Sequence, residues 1–95
     1  MRVEKDPQAV LDFGLDWSAW LKQRDGTTDA IVASSWTITG PDETLTQSDA
    51  WFEGGFTGLW LAGGTEGGEY KATNHIVTAA GREDDRTLTV RVKQR

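Results

Sequence analysis

The 95-residue sequence has no cysteine, one histidine, one methionine and two prolines. The absence of cysteine excludes disulfides, thiol nucleophiles and thiolate metal sites. A single imidazole does not build a zinc site without a second histidine or a cysteine. Basic residues are in the minority, 10 Lys and Arg against 15 Asp and Glu, for a formal net charge of −5. That sign argues against nucleic acid as a partner, because phosphates are bound by neutralising Lys and Arg. No apolar run approaches the roughly 20 residues of a membrane span. The charged opening MRVEKDPQ does not read as a signal peptide, so a soluble, unexported chain is expected. The length favours one domain with one modest core. What is present in excess is tryptophan, with five in the chain.

The hydrophobic pattern is mostly two-fold. Leu11, Phe13, Leu15, Trp17, Ala19 and Leu21 occupy every second position. A helix would instead collect Val10, Phe13, Trp17 and Trp20, but Gly14 and the nearby aromatics favour an extended segment. Ala30 to Thr39 is rich in β-branched residues and lies between Arg24-Asp25-Gly26 and Gly40-Pro41-Asp42, both turn-prone. Thr44 to Gln47 reads as a further short piece. In Trp51 to Ala62, the pair Gly54-Gly55 predicts a loop or bulge before a strand from about Thr57. A glycine-rich connection, Gly63 to Gly68, leads to the alternating set Tyr70, Ala72, Asn74, Ile76 and Thr78. A charged tip over Arg82 to Arg86 then precedes Leu88, Val90 and Val92, apolar on alternate positions. About seven short strands, with no convincing helix, predict an all-β fold: an immunoglobulin-like antiparallel β-sandwich over 11–95. Residues 1–10 are polar, contain Pro7 and read as an extended arm that orders on binding.

Tyr70 follows the glycine corner, and Ala72 stands two places later. In immunoglobulin-like sandwiches a tyrosine near the start of the penultimate strand ties down the preceding corner, and a small inward residue or half-cystine follows two places on. Trp36 is then expected in the core of the opposing sheet.

Catalytic patterns are weak. His75 has no nucleophile elbow to serve, and it reads as a solvent-facing or interface residue. Glu83-Asp84-Asp85 lacks calcium-loop spacing and is flanked by Arg82 and Arg86, as expected of a solvated hairpin tip. Gly63 to Gly68 is not followed by the Lys-Ser/Thr of a phosphate loop. Asp12, Asp16 and Asp29 carry no sign of convergence into a glycosidase pair. No cofactor or metal is therefore expected. Trp17 and Trp36 fit inward phases. Trp20 breaks the alternation of its own segment, and Trp51, Phe52 and Phe56 exceed what a small core can bury. Surplus aromatics of this kind mark protein-contact surfaces.

The pattern Lys5-Asp6-Pro7, then Val10-Leu11-Asp12-Phe13-Gly14-Leu15-Asp16-Trp17-Ser18 with Trp20-Leu21, is distinctive. Together with Ile31 to Trp36, Leu61 to Thr65 and Thr73 to Arg86, it resembles the phage fibre–tail adaptor proteins, a family of small tailed-bacteriophage virion proteins. The resemblance runs over nearly the whole chain. It implies a non-enzymatic, immunoglobulin-like structural protein of the virion tail, assembled in the host cytoplasm and present in several copies. Such a protein bridges tail or baseplate to fibre. Lys5, Asp6 and Pro7 of the arm, with Trp20, Trp51, Phe52 and Phe56, are the expected contacts. A head-decoration or head–tail joining protein is the alternative within virions. A carbohydrate-binding module, stacking sugars on Trp51 and Trp60, is the alternative outside them.

Overall fold

The alternation in the last third of the chain translates directly into a pleated surface. In a computed structural model describing residues 1–94, Tyr70, Ala72, Asn74, Ile76 and Thr78 are all buried. They lie on strand β6 (Glu69–Thr78), which pairs antiparallel with β7 (Glu83–Val92) on one side and β3 (Ile31–Thr39) on the other. Strand β1 (Arg2–Lys5) joins the outer side of β7 in parallel, giving the order β1-β7-β6-β3. A second, antiparallel sheet has the order β2-β5-β4, from β2 (Val10–Asp16), β5 (Phe56–Gly63) and β4 (Leu45–Glu53). The sheets face one another across a core. Leu15, Leu45, Leu59 and Leu61 meet Trp36, Tyr70, Ile76, Leu88, Val90 and Val92 there. Arg95, the last residue of the expected domain, lies outside the described residues.

Several boundaries differ from the sequence reading, each for a local physical reason. The extended segment expected through Leu21 stops at Asp16, and Ser18–Leu21 forms a single helical turn, α1. Asp16 accepts hydrogen bonds from the Ser18 backbone N–H and hydroxyl, at 2.9 and 2.5 Å, which turns the chain out of the strand. Trp17 and Leu21 are spaced for a helix as well as for a strand, and the helical turn buries both. Residues 2–5 of the expected arm are a strand. The open edge of β7 supplies backbone partners, and Lys5 is fully buried, its ammonium donating to the Asp6 and Gly63 carbonyls at 2.8 Å each. Desolvation lowers the pKa of Lys5, and neighbouring Asp6 partly opposes this. Trp36 is buried but sits in the same sheet as Tyr70, since β3 pairs with β6. Glu83 to Asp85 open β7 and are not part of the tip.

Gly54-Gly55 is a two-residue hairpin turn between Glu53 and Phe56. Both glycines have positive φ, 57° and 91°, as the twist-compatible tight turn requires. The bulge lies upstream, between Ser48 and Trp51, with Asp49 at φ 49°. The extra residue shifts the pleat, so that beyond it Trp51 faces outward and Phe52 inward.

Two polar centres hold the sandwich. At the corner, the Tyr70 hydroxyl donates to Asp42 at 2.6 Å and accepts from the Thr65 N–H at 2.9 Å. Thr44 and the other hydroxyls around Asp42 hold its carboxyl far below the usual carboxylate range. In the middle, the Asn74 amide is fully buried. Its oxygen accepts from Trp17 Nε1 at 2.9 Å and Thr57 Oγ1 at 2.7 Å, and its nitrogen donates to Ser34 Oγ and the Ser35 carbonyl. Asn74→Ala orphans buried groups on three elements, so a loss of about 3–5 kcal/mol is expected in urea unfolding. Trp17→Phe, which removes one of those bonds and leaves a smaller ring, is expected to cost less than Asn74→Ala.

Candidate functional site

The outward positions of the three-stranded sheet follow from its register. Asp12, Trp60 and Ser48 form one row, Gly14, Gly58 and Trp51 the next, and Asp16, Phe56 and Glu53 the third. Leu59 and Leu61 alternate inward and are completely buried, which forces Trp60 between them to the outside. Trp51, Phe56 and Trp60 are 41%, 47% and 38% exposed, a large aromatic surface for one small face. The Trp51 indole lies across the backbone at Gly58, where a Cβ would come within 2.3 Å of its ring. Gly58 is thus the seat that lets the ring lie down on the sheet. A groove of about 740 Å³ starts from Trp51, Phe56, Asp12 and Gly14. It passes round the edge of β2 to Phe13, Leu15, Met1, Arg86 and Thr87.

The expected contact residues do not form one patch. Trp51 and Phe56 share the outer face, joined by Trp60, which the sequence reading weighed only as a sugar-stacking residue. Phe52 pairs with Thr57 and so belongs to the opposite phase, though it is 42% exposed at the sheet edge. Trp20 is half-buried on α1, edge-on to Trp17 with centroids 5.4 Å apart, and covered by the Arg82 guanidinium at 4.1 Å. Arg82 is held in turn by Asp29 at 3.1 Å, whose buried carboxylate also accepts from the Ala30 and Ala80 N–H groups. The Thr78 hydroxyl is the largest influence in lowering the Asp29 pKa to about 2. Lys5 points inside, while Asp6 and Pro7 are half-buried on the crossing from β1 to β2.

Several titratable groups engage neighbouring rings and charges. Arg86 stacks over Trp17 at 4.2 Å and donates to the Asp16 carbonyl. Asp12 and Asp16 share the outer face, whereas Asp29 is engaged with Arg82 elsewhere, so the three carboxylates do not converge. His75 lies on the outside of the four-stranded sheet, with Nδ1 on Asp85 at 2.5 Å and Nε2 on Glu83 at 2.9 Å. Ionised carboxylates only accept, so both ring nitrogens carry protons. The pKa of His75 is raised, first by Asp85 and then by Glu83. Among the described residues no group of three or more His, Cys, Asp or Glu is placed to hold a metal ion. No helix is long and apolar enough to cross a membrane.

The described residues thus form a two-sheet β-sandwich with an exposed aromatic face and a groove beside an open strand. Residues 5–91 match the family model described as podophage GP4 fiber-tail adaptor protein gp77, and the chain belongs to that family. It is a structural adaptor of the phage tail, as its motifs imply. No curated protein matches the chain.

The raised pKa of His75 sets a pH signature. Its ion pairs stabilise the fold fully below the unfolded-state pKa near 6.5 and are lost as pH rises through the higher folded value. The stability difference between wild type and His75→Gln is therefore expected to be larger at about pH 5.5 than at about pH 9, read by denaturant titration.

Proposed function

We propose that this chain joins tail to fibre as a non-catalytic connector, and that the outer face of the three-stranded sheet is where a neighbour docks. The observation that carries this is the coincidence of Trp51, Phe56 and Trp60 on one exposed face in a member of an adaptor family. Tryptophan truncations dominate interface energies because the ring buries a large area at low entropy cost. Phe52, at the sheet edge, and Asp6 and Pro7, beside β1, extend the contact set. Trp20 supports it indirectly, by positioning Arg82. The partners are other tail and fibre proteins, with several copies around the tail axis, assembled in the host cytoplasm. The pairing of β2-β5-β4 against β3-β6-β7, with Tyr70 tying its corner, supports an immunoglobulin-like reading of the sandwich. The family match favours the adaptor over a head-decoration protein.

The double variant Trp51→Ala/Phe56→Ala tests the assignment. Both residues are exposed, so circular dichroism and thermal midpoint should stay close to wild type. Affinity for the tail–fibre assembly should fall by about 30-fold or more, the equivalent of about 2 kcal/mol. Virions that assemble and carry fibres normally with the double variant would show that the neighbour docks elsewhere.

A further inference from the structure

The four edge strands of this sandwich are not alike. A long, regular, uncovered strand edge is a template for pairing with another chain, and proteins blunt such edges with bulges, Pro, Lys or short length. Strand β1 is four residues long. Strand β3 carries a register shift between Ile31 and Ala33, and β4 carries one between Ser48 and Trp51. Strand β2 has none of these devices. It pairs with β5 in unbroken register over all seven residues, contains neither Lys nor Pro, and has no strand on its other side among the described residues.

The groove runs round this open edge, with Phe13 and Leu15 on one side of the strand and Trp51 and Phe56 on the other. Charge narrows the choice of occupant. Arg86, the one basic side chain among the described residues lining the groove, is already committed to Trp17 and to the Asp16 carbonyl. Asp12 lines the same groove and makes no side-chain hydrogen bond or ion pair among the described residues. It stands in the row next to the exposed Trp51 ring. A carboxylate beside an open indole suits a Lys or Arg side chain laid on the ring. A second copy of this chain is a poor fit. Pairing β2 with β2 would bring Asp12 and Asp16 of both copies onto one face, and each copy carries a net charge of −5.

We infer that β2 accepts an extended segment of a tail or fibre protein as an added strand, with apolar side chains in the groove and one basic side chain between Asp12 and Trp51. This rests on the adaptor reading and specifies how one partner is held. Main-chain hydrogen bonds along β2 would supply affinity, and the Asp12–Trp51 pocket would supply register.

The test titrates the full chain with synthetic peptides of about ten residues, tiled through the phage's tail and fibre proteins, and follows tryptophan fluorescence. At least one tile with an alternating apolar pattern and a basic residue should bind. Asp12→Lys should weaken it tenfold or more with the fold intact by amide exchange, and Asp12→Asn should weaken it less. N-methylation of the peptide at alternate residues should abolish binding in one phase only. Binding indifferent to N-methylation in both phases overturns strand addition, as does a site that takes an oligosaccharide, or a self-dimer that excludes the peptide. If no tile binds while the intact tail or fibre protein still does, strand addition falls and the adaptor reading stands. If neither binds, both fall.

Discussion

The buried amide of Asn74 is the point on which the sandwich is hung. It is the central inward residue of β6, and its four hydrogen bonds run to the Trp17 indole, the Thr57 hydroxyl, Ser34 and the Ser35 carbonyl. One polar group thereby ties the middle of one sheet to β5 of the other, to the start of α1 and to neighbouring β3. A buried amide satisfied on both ends specifies geometry in a way apolar packing does not, because any slip of one sheet over the other breaks several bonds at once. The arrangement of Trp17 follows from it. Once the indole nitrogen is bound inside, Arg86 and Trp20 can pack on the remaining ring surface, and Arg82 and Asp29 complete the end of the domain.

This anchoring separates the tryptophans by role. Trp17 and Trp36 are interior, Trp20 is half-covered by Arg82, and Trp51 and Trp60 are presented on the outside of the smaller sheet. Cysteine is absent, so no disulfide crosses the sheets. Lys5, with its stem inside and its ammonium on the Gly63 carbonyl, is one of the groups that cross between them instead. Leu59 and Leu61 take the inward positions of β5, which leaves Phe56 and Trp60, with Trp51 beside them, on the outside.

Legibility in the sequence tracks locality. The strands β6 and β7 were readable because each has one dry and one wet face, so alternation alone sets the phase from Tyr70 to Val92. The family resemblance was readable from short local motifs such as Lys5-Asp6-Pro7 and Gly81 to Arg86. The start of α1 was not, because Trp17 and Leu21 satisfy both periods and the turn is set by the Asp16 carboxylate accepting from the Ser18 N–H and hydroxyl. The burial of Lys5 is not legible locally, because a buried lysine is intelligible only once the Gly63 carbonyl, 58 residues away, is beside it. Trp51 and Phe52 are adjacent strand residues and point to opposite faces, and which of them faces out depends on the bulge at Asp49.

What the sequence determined by itself was therefore the class: an all-β chain with paired turns, no thiol chemistry, an excess of aromatics, and the motifs of a phage fibre–tail adaptor. Those properties reside in composition and in spacings of a few residues. Only the tertiary structure decided which aromatics meet, which edge stays open and which charges are already spent on partners. Each of those depends on sheet order, on a single extra residue in β4, and on contacts between residues far apart in the chain, which no local pattern encodes.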